Sequence, residues 1–119
     1  MITEKCILPI GVEYDGKVHC HVELRPSLVR DSIEAVEDER AQTNESYLGL
    51  TILSKQIVCL GTIPADKITP NLLMGMYEPD LVAIRNASER LRNRLYSFRG
   101  TGEGSAEIDA GDGKDGLPA

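Results

Sequence analysis

Aromatic side chains are scarce in this chain of 119 residues, which has four Tyr, one Phe and no Trp. Aliphatic side chains must therefore form most of the hydrophobic core. Little aromatic surface remains for stacking against nucleic-acid bases, which argues against a protein that binds single strands. The length allows one domain at most, with a core of modest size.

A long apolar run and a leader pattern are both missing from the sequence. No run reaches the roughly 18 apolar residues that a membrane-spanning helix needs, and residues 1–5 lack the basic and apolar stretches of a secretory signal. The cysteines, Cys6, Cys20 and Cys59, are odd in number and lie in apolar runs. We therefore expect reduced thiols in a cytosolic compartment, buried as small hydrophobic side chains.

Positive charge is in deficit, and the formal net charge of −6 speaks against non-specific affinity for nucleic acid or anionic membranes. Residues 100–119 hold five acids and one lysine among many glycines, whereas residues 80–99 hold five arginines and two acids. Such a basic helix and acidic tail could pair with each other, present a basic face to an acidic partner, or simply be solvated. The composition of the tail predicts disorder in the unbound chain.

Residues 4–25 predict a β-hairpin that is closed by Asp15-Gly16. Asp-Gly between two apolar runs is typical of a type I′ turn, because both central positions need a positive φ. The second run alternates, and its apolar side consists of Val18, Cys20, Val22 and Leu24. A hairpin alone is marginally stable in water, so we expect it to pack on the helices that follow.

Helices are predicted for most of the chain after the hairpin. Asp31 to Glu34 fits a capping box that begins a helix running to about Arg40, with Ile33, Ala35 and Val36 facing inward, and residues 41–45 predict a loop. A short helix should begin at Thr69-Pro70. Residues 80–98 carry a near-heptad apolar stripe and predict the longest helix.

The most apolar stretch, residues 46–60, has Leu50, Leu53, Ile57 and Leu60 at spacings of three and four, which favours a helix. A strand over residues 57–60 is the alternative. The predicted fold is thus α+β: an N-terminal β-hairpin packed on a small bundle of three to four α-helices (residues 1–99), followed by a disordered, acidic, Gly-rich C-terminal tail (residues 100–119).

Motifs of catalysis or cofactor binding are not apparent in the sequence. It contains no nucleophile elbow, P-loop, dinucleotide fingerprint or zinc-type cysteine spacing. His19-Cys20-His21 is the one cluster that resembles a metal site, but alternation along a strand places Cys20 on the face opposite both histidines. We therefore predict exposed strand histidines, no metal, no cofactor and no enzymatic activity.

Several motifs, in their order and spacing, resemble the tail assembly chaperones of Mu-like and P2-like long-tailed phages. The resemblance covers about residues 6–99. Its motifs are Leu8-Pro9-Ile10-Gly11-Val12, Tyr14-Asp15-Gly16-Lys17, Glu23-Leu24-Arg25-Pro26, the acidic helix from Asp31 through Ala35, Gly61-x-Ile63, Ile68-Thr69-Pro70 and Asp80-Leu81. Pro26 departs from the family pattern, in which a longer polar side chain is typical.

This resemblance implies a small protein of the host cytoplasm that binds the phage tape measure protein, and tail tube subunits as a second partner, during tail assembly. It also implies a longer form made by programmed ribosomal frameshifting near the end of the first reading frame, and absence from the mature virion. We expect the tail after Arg99 to be what the unshifted frame encodes.

Apolar helix stripes are the candidate partner-binding surfaces, because such a partner would be long, helical and apolar. The first candidate surface comprises Leu81, Ile84, Leu91, Leu95 and Phe98, and the second comprises Leu50, Leu53 and Ile57. Alternatively, these residues form the core of the chain itself, or residues 80–98 mediate self-association into a homo-oligomer. Two other classes remain open: an adaptor or inhibitor of a host protein that acts through the hairpin edge or the basic helix, and a structural tail component.

Overall fold

The structure is a computed structural model that describes the backbone of residues 1–100 and the side chains of residues 1–97. The predicted α+β class is confirmed: the N-terminal hairpin belongs to a three-stranded antiparallel sheet that packs with the helices. The elements are β1 (Glu4–Tyr14), β2 (Lys17–Leu24), α1 (Val29–Ala35), α2 (Glu39–Thr43), α3 (Glu45–Gln56), β3 (Ile57–Leu60), a 3-10 turn (Ala65–Lys67), α4 (Pro70–Met74) and α5 (Glu78–Gly100). The tail predicted to be disordered comprises residues 100–119. Its first residue, Gly100, is the last residue of α5, and residues 101–119 lie outside the described residues.

The hairpin turn forms where the sequence predicts it. Asp15 and Gly16 have φ values of 54° and 75°, as a type I′ turn requires. Val22 and Leu24 are buried as expected, but Val18 is exposed. The alternation changes at Cys20, because the pairing of β2 with β1 shifts register at that point.

A wide bulge in β1 changes the register of the hairpin. Ile7 pairs with His21 and Val12 with His19, so the four residues 8–11 of β1 lie opposite Cys20 alone. Gly11 adopts a φ of +105° in the bulge, and a Cβ at this position would lie 2.5 Å from the Val18 Cγ1 atom. The bulge therefore requires glycine at this point, for its backbone conformation and for space.

The bulge is anchored by Asp80, a fully buried residue in the first turn of α5. The Ile10 amide donates to its Oδ1 and the Gly11 amide to its Oδ2, each at 2.9 Å. One carboxylate thus accepts from two backbone amides that the bulge removes from the hydrogen bonding between β1 and β2. It also ties the longest helix to the hairpin across about 70 residues of sequence.

Residues 57–60 form a strand, so the predicted helix over residues 46–60 is wrong at its end and the strand alternative is correct. Helix α3 ends at Gln56, and β3 adds to β2 with Leu60 opposite Val22. The Gly61 amide continues the pairing by donating to the His21 carbonyl at 2.8 Å. Ile57 and Val58 are β-branched, which favours a strand, and β3 forms one edge of the sheet beside β2.

The helix predicted over residues 31–40 is divided into α1 and α2. Asp38 caps α2 by accepting from the Arg40 amide at 3.0 Å, which breaks the continuous helix. Helix α1 begins earlier than predicted, with Leu28 as its N-cap residue, so Asp31 occupies the third helical position. The predicted loop over residues 41–45 is wrong, because α2 extends to Thr43.

The later helices agree with the sequence prediction. Thr69 caps α4 by accepting from the Leu72 amide at 3.3 Å, with Pro70 at the first helical position. Helix α5 contains the predicted residues 80–98. None of the described helices has the length and apolarity needed to cross a membrane.

The core lies between the sheet and the helices and is aliphatic, as the composition predicts. Helix α5 packs chiefly against β1, and α3 packs against α1, α2 and α4. The buried residues of the core are Leu8, Val12, Val22, Leu24, Leu53, Ile57, Leu60, Ile63, Ile68, Leu73, Ile84, Ala87 and Leu91.

Candidate functional site

The stripe predicted on α5 as the first partner-binding surface is mostly core. Ile84 and Leu91 are fully buried, and Leu81 is half-buried against the core cluster. Leu95 is half-buried at the edge of a groove, and the side chain of Phe98 lies outside the described residues. Ile84 and Leu91 cannot contact a partner without unfolding the helix, so the prediction is wrong for them.

The second predicted surface, on α3, is also core. Leu53 and Ile57 are buried, and Leu50 is half-buried against the same cluster. Ile57 is the first residue of β3 and not part of α3, so it enters the core from the sheet. The alternative, in which both stripes form the core of the chain itself, is correct for these four buried residues.

A different apolar stripe is left uncovered on α1. Val29, Ile33 and Val36 have 79%, 62% and 41% of their surface exposed, although Ile33 and Val36 were predicted to face inward. Spacings of four and three residues place all three on one face of the helix. The opposite face is buried and carries Asp31 and Ala35. Helix α1 therefore presents its larger apolar side chains to solvent.

The ion pair between Arg25 and Asp31 sets this orientation. Arg25 Nη1 donates to Asp31 Oδ2 and Nη2 donates to Oδ1, both at 2.8 Å. The Leu28 amide also donates to Oδ2 at 2.8 Å. The Arg25 guanidinium, with the Leu28 amide, holds the pKa of the Asp31 carboxyl below its ordinary value. A charged side chain fixed inward by three hydrogen bonds turns the apolar face of α1 outward.

Sequence reasoning missed this surface, although a signal for it was present. Asp31 was interpreted as an N-cap, whereas its carboxylate bonds to the guanidinium six residues earlier and to the amide of the true N-cap residue. An acid at the third helical position with a basic residue just before the helix is compatible with an inward ion pair. Once Asp31 faces inward, helical geometry requires Val29 and Ile33 to face outward.

A second exposed apolar surface lies beside the β1 bulge. It is a groove of about 430 Å³ between the bulge and the region of α4. Ile10, Val18 and Tyr77 are exposed along it, and Leu72 and Met76 are half-buried there. The groove was not predicted, because its shape depends on the bulge.

Of the His19-Cys20-His21 cluster, His19 has contacts that link β2 to the loop after β3. His19 is buried, contrary to prediction, and its Nδ1 atom accepts from the Thr62 amide at 3.3 Å. Its Nε2 atom lies 3.3 Å from the Tyr14 carbonyl, so one neutral tautomer satisfies both contacts. His21 is exposed as predicted. Within the described part of the chain, no group of three His, Cys, Asp or Glu side chains is arranged to hold a metal ion.

The cysteines differ in their surroundings. Cys6 and Cys20 are half-buried in the hairpin, and burial raises the pKa of the Cys6 thiol. Cys59 is exposed on β3, so the prediction that all three are buried is wrong for this residue. The cause is the strand, which points Cys59 away from the core that Leu60 enters.

Comparison with known protein families, with curated proteins and with solved structures found no match to this chain.

Proposed function

We propose that this chain is a non-catalytic assembly chaperone that binds an elongated, helical, apolar partner, namely a phage tape measure protein. The observation that carries the proposal is the exposed stripe of Val29, Ile33 and Val36 on α1. The resemblance to phage tail assembly chaperones supplies the identity of the partner. Tail tube subunits, a longer frameshifted form, location in the host cytoplasm and absence from the mature virion are further parts of the same proposal.

The stripe suits a helical partner. It covers two turns of α1, or about 10 Å along the axis, and its aliphatic side chains can pack into the grooves of another helix. An interface of this size is small compared with the roughly 1,200 Å² of a stable complex. A weak contact of this kind is appropriate for a chaperone that tube subunits must later displace.

The charged side chains around the stripe indicate which charges a partner helix should carry. Glu34 and Glu37 are exposed beside it, and Arg30 is the one basic side chain within α1. Lys55 pairs with Glu34 at 3.4 Å, so Glu37 carries the acidic character of this surface. A partner helix with basic residues flanking its apolar stripe would therefore be favoured over an acidic one. The groove at Tyr77 offers a second apolar contact that would extend the interface.

Co-expression tests the proposal directly. The chain would be affinity-tagged and produced with the adjacent long reading frame that encodes the tape measure protein, and the complex would be resolved by size exclusion. We expect Ile33→Asp to reduce capture by about tenfold or more, because burying one isoleucine contributes about 1.5–3 kcal/mol. Val82→Asp is the matched control, since Val82 is an exposed valine on α5 that lies outside the stripe.

Undiminished capture by a folded Ile33→Asp protein would remove α1 from the interface. A complete absence of capture by the unsubstituted chain would favour an adaptor or inhibitor of a host protein. The presence of the chain in purified particles would instead indicate a structural tail component.

A further inference from the structure

The charged side chains of α1 and of the turn that ends it fall into two groups. Asp31 and Glu34 both pair with basic side chains of the chain itself. Arg30 and Glu37 are exposed, and neither forms an ion pair with any side chain of residues 1–97. Two charges of opposite sign therefore remain unbalanced beside the exposed apolar stripe.

These two charges lie on the same flank of the stripe. Arg30 and Glu37 are seven residues apart, so they differ by only about 20° around the helix. The turn after α1 continues the helical path, since Val36 keeps a right-handed helical backbone and the Glu37 amide donates to the Glu34 carbonyl at 3.1 Å. About 10 Å of helix axis separates the two charges, which is too far for them to pair with each other. The flank is thus basic at its N-terminal end and acidic at its C-terminal end.

A second copy of α1 matches this charge pattern if the two helices run antiparallel. A two-fold axis near Ile33 places the N-terminal end of one stripe beside the C-terminal end of the other and keeps equivalent flanks together. Arg30 of one copy then lies beside Glu37 of the other, and this pair occurs twice. A parallel arrangement would instead place this flank against the Ser32 flank, which has no charge within α1. The charges therefore select an antiparallel second copy.

We propose that α1 forms a weak antiparallel homodimer in the free chain. Val29, Ile33 and Val36 of one copy pack on the same residues of the other, and two pairs between Arg30 and Glu37 border the contact. The dimer covers the stripe, so another partner of the stripe must displace the second copy. The dimer itself rests on the exposed stripe and its charges, whereas its displacement by a tape measure protein rests on the proposed function.

The small size of the contact predicts a weak dimer. Three aliphatic side chains per copy bury less than the roughly 1,200 Å² of a stable complex, and exposed ion pairs add little. We expect a dissociation constant on the order of 0.1 mM. Sedimentation equilibrium of the full chain, at concentrations from about 20 µM to about 1 mM, measures this constant.

Charge reversal tests whether the two flanks face each other. Arg30→Glu and Glu37→Arg each turn both border pairs into like charges, so each variant alone should have a dissociation constant about tenfold higher. An equimolar mixture of the two variants should recover the dimer, because this flank then carries only acids in one variant and only arginines in the other. Ile33→Asp should abolish the dimer without any recovery in either mixture.

Matched controls separate this pairing from an effect of net charge. Arg85→Glu and Asp66→Arg make the same changes of charge at exposed sites outside α1. Neither should change the dissociation constant by more than about twofold, and mixing the two should have no effect. Circular dichroism shows that each variant remains folded.

The proposal is overturned if the unsubstituted chain is a monomer at about 1 mM, or if the mixture of Arg30→Glu and Glu37→Arg does not recover the dimer. A dimer that neither charge reversal weakens would use another surface, and this result also overturns the proposal. A monomeric chain that still captures the tape measure protein would overturn the dimer and leave the proposed function in place. A dimer that recovers in the mixture but captures no tape measure protein would do the reverse.

Discussion

Arg25 and Asp31 form a bidentate ion pair in which both nitrogen–oxygen distances are 2.8 Å. This pair determines which face of α1 is exposed to solvent. Asp31 is buried, and Ala35 is buried on the same side of the helix. Val29 and Ile33 are consequently exposed. The candidate binding surface therefore depends on an ion pair on the opposite, buried face of α1.

The contribution of the ion pair should depend on pH. Because the folded-state pKa of Asp31 is lowered by Arg25, its stabilisation is fully present above the unfolded-state pKa, which is about 3.9. It is lost as pH falls through the lower folded-state value. At pH 7 we expect Asp31→Asn to reduce the free energy of unfolding by about 1.5–3 kcal/mol, the range for a hydrogen bond to a charged group. The difference from the unsubstituted chain should shrink below pH 4 in urea titrations.

Asp66→Asn is the control for this titration, since Asp66 is an exposed acid in the 3-10 turn. Its effect should remain within about 0.5 kcal/mol at every pH. A difference between Asp31→Asn and the unsubstituted chain that stayed constant from pH 7 to pH 3 would show that packing, and not charge, explains the loss.

Removal of the Asp80 carboxylate should loosen the β1 bulge. Asp80→Ala leaves the Ile10 and Gly11 amides without their acceptor, and each unpaired donor costs about 1–3 kcal/mol. We expect a loss of about 3 kcal/mol in the free energy of unfolding and faster hydrogen exchange at both amides. Glu78→Ala removes an exposed acid from the same helical turn, and it should change neither quantity by much. Equal effects of the two substitutions would reduce the role of Asp80 to the helix dipole.

The bulge should also reject a side chain at Gly11. Gly11→Ala places a Cβ 2.5 Å from Val18 Cγ1 at a φ of +105°, so both a clash and backbone strain oppose it. Gly16→Ala is the control, because Gly16 has a positive φ but open space around it. We expect about 1 kcal/mol for Gly16→Ala and a larger loss for Gly11→Ala in urea unfolding. Val18→Ala should recover part of that larger loss. No recovery would show that Val18 is not its cause, which would leave the contact with Cys20 Sγ at 2.8 Å and the backbone strain.

Local signals in the sequence predicted the elements that depend on local chemistry. The Asp15-Gly16 turn and the Thr69-Pro70 cap follow from backbone preferences of these residue types, and both are confirmed. For residues 57–60 the sequence leaves both a helix and a strand open, because a short apolar run has no unambiguous period. Pairing with β2 stabilises the strand, and this pairing is a tertiary contact that the local sequence does not encode.

The candidate site was harder to predict for a related reason. Ile33 and Val36 have the spacing of a buried stripe, and spacing alone cannot tell a core face from an exposed one. Only the contact from Asp31 to Arg25 fixes the rotation of α1. In the same way, neither the sequence around Asp80 nor the sequence of β1 indicates that Asp80 bonds to the bulge.

The motifs that carry the family resemblance largely coincide with these framework contacts. The Leu8–Val12 motif forms the bulge, and Asp80-Leu81 supplies the carboxylate that holds it. Arg25 and Asp31 belong to two further motifs and form the ion pair. The residues of these motifs therefore hold the fold together, and the exposed stripe on α1 lies outside the contacts that they make.

Substitutions at the buried Leu91 and at the exposed Ile33 should differ in their effect on the free energy of unfolding. Leu91→Asp buries an unpaired charge in the centre of the core, so we expect a loss of more than about 4 kcal/mol and an unfolded chain. Ile33→Asp changes a side chain that is 62% exposed, so the free energy of unfolding should stay within about 0.5 kcal/mol. Circular dichroism during urea titration measures both. If Ile33→Asp unfolded the chain as Leu91→Asp does, the α1 stripe would be part of the protein's own packing, and it would no longer be a candidate for binding a partner.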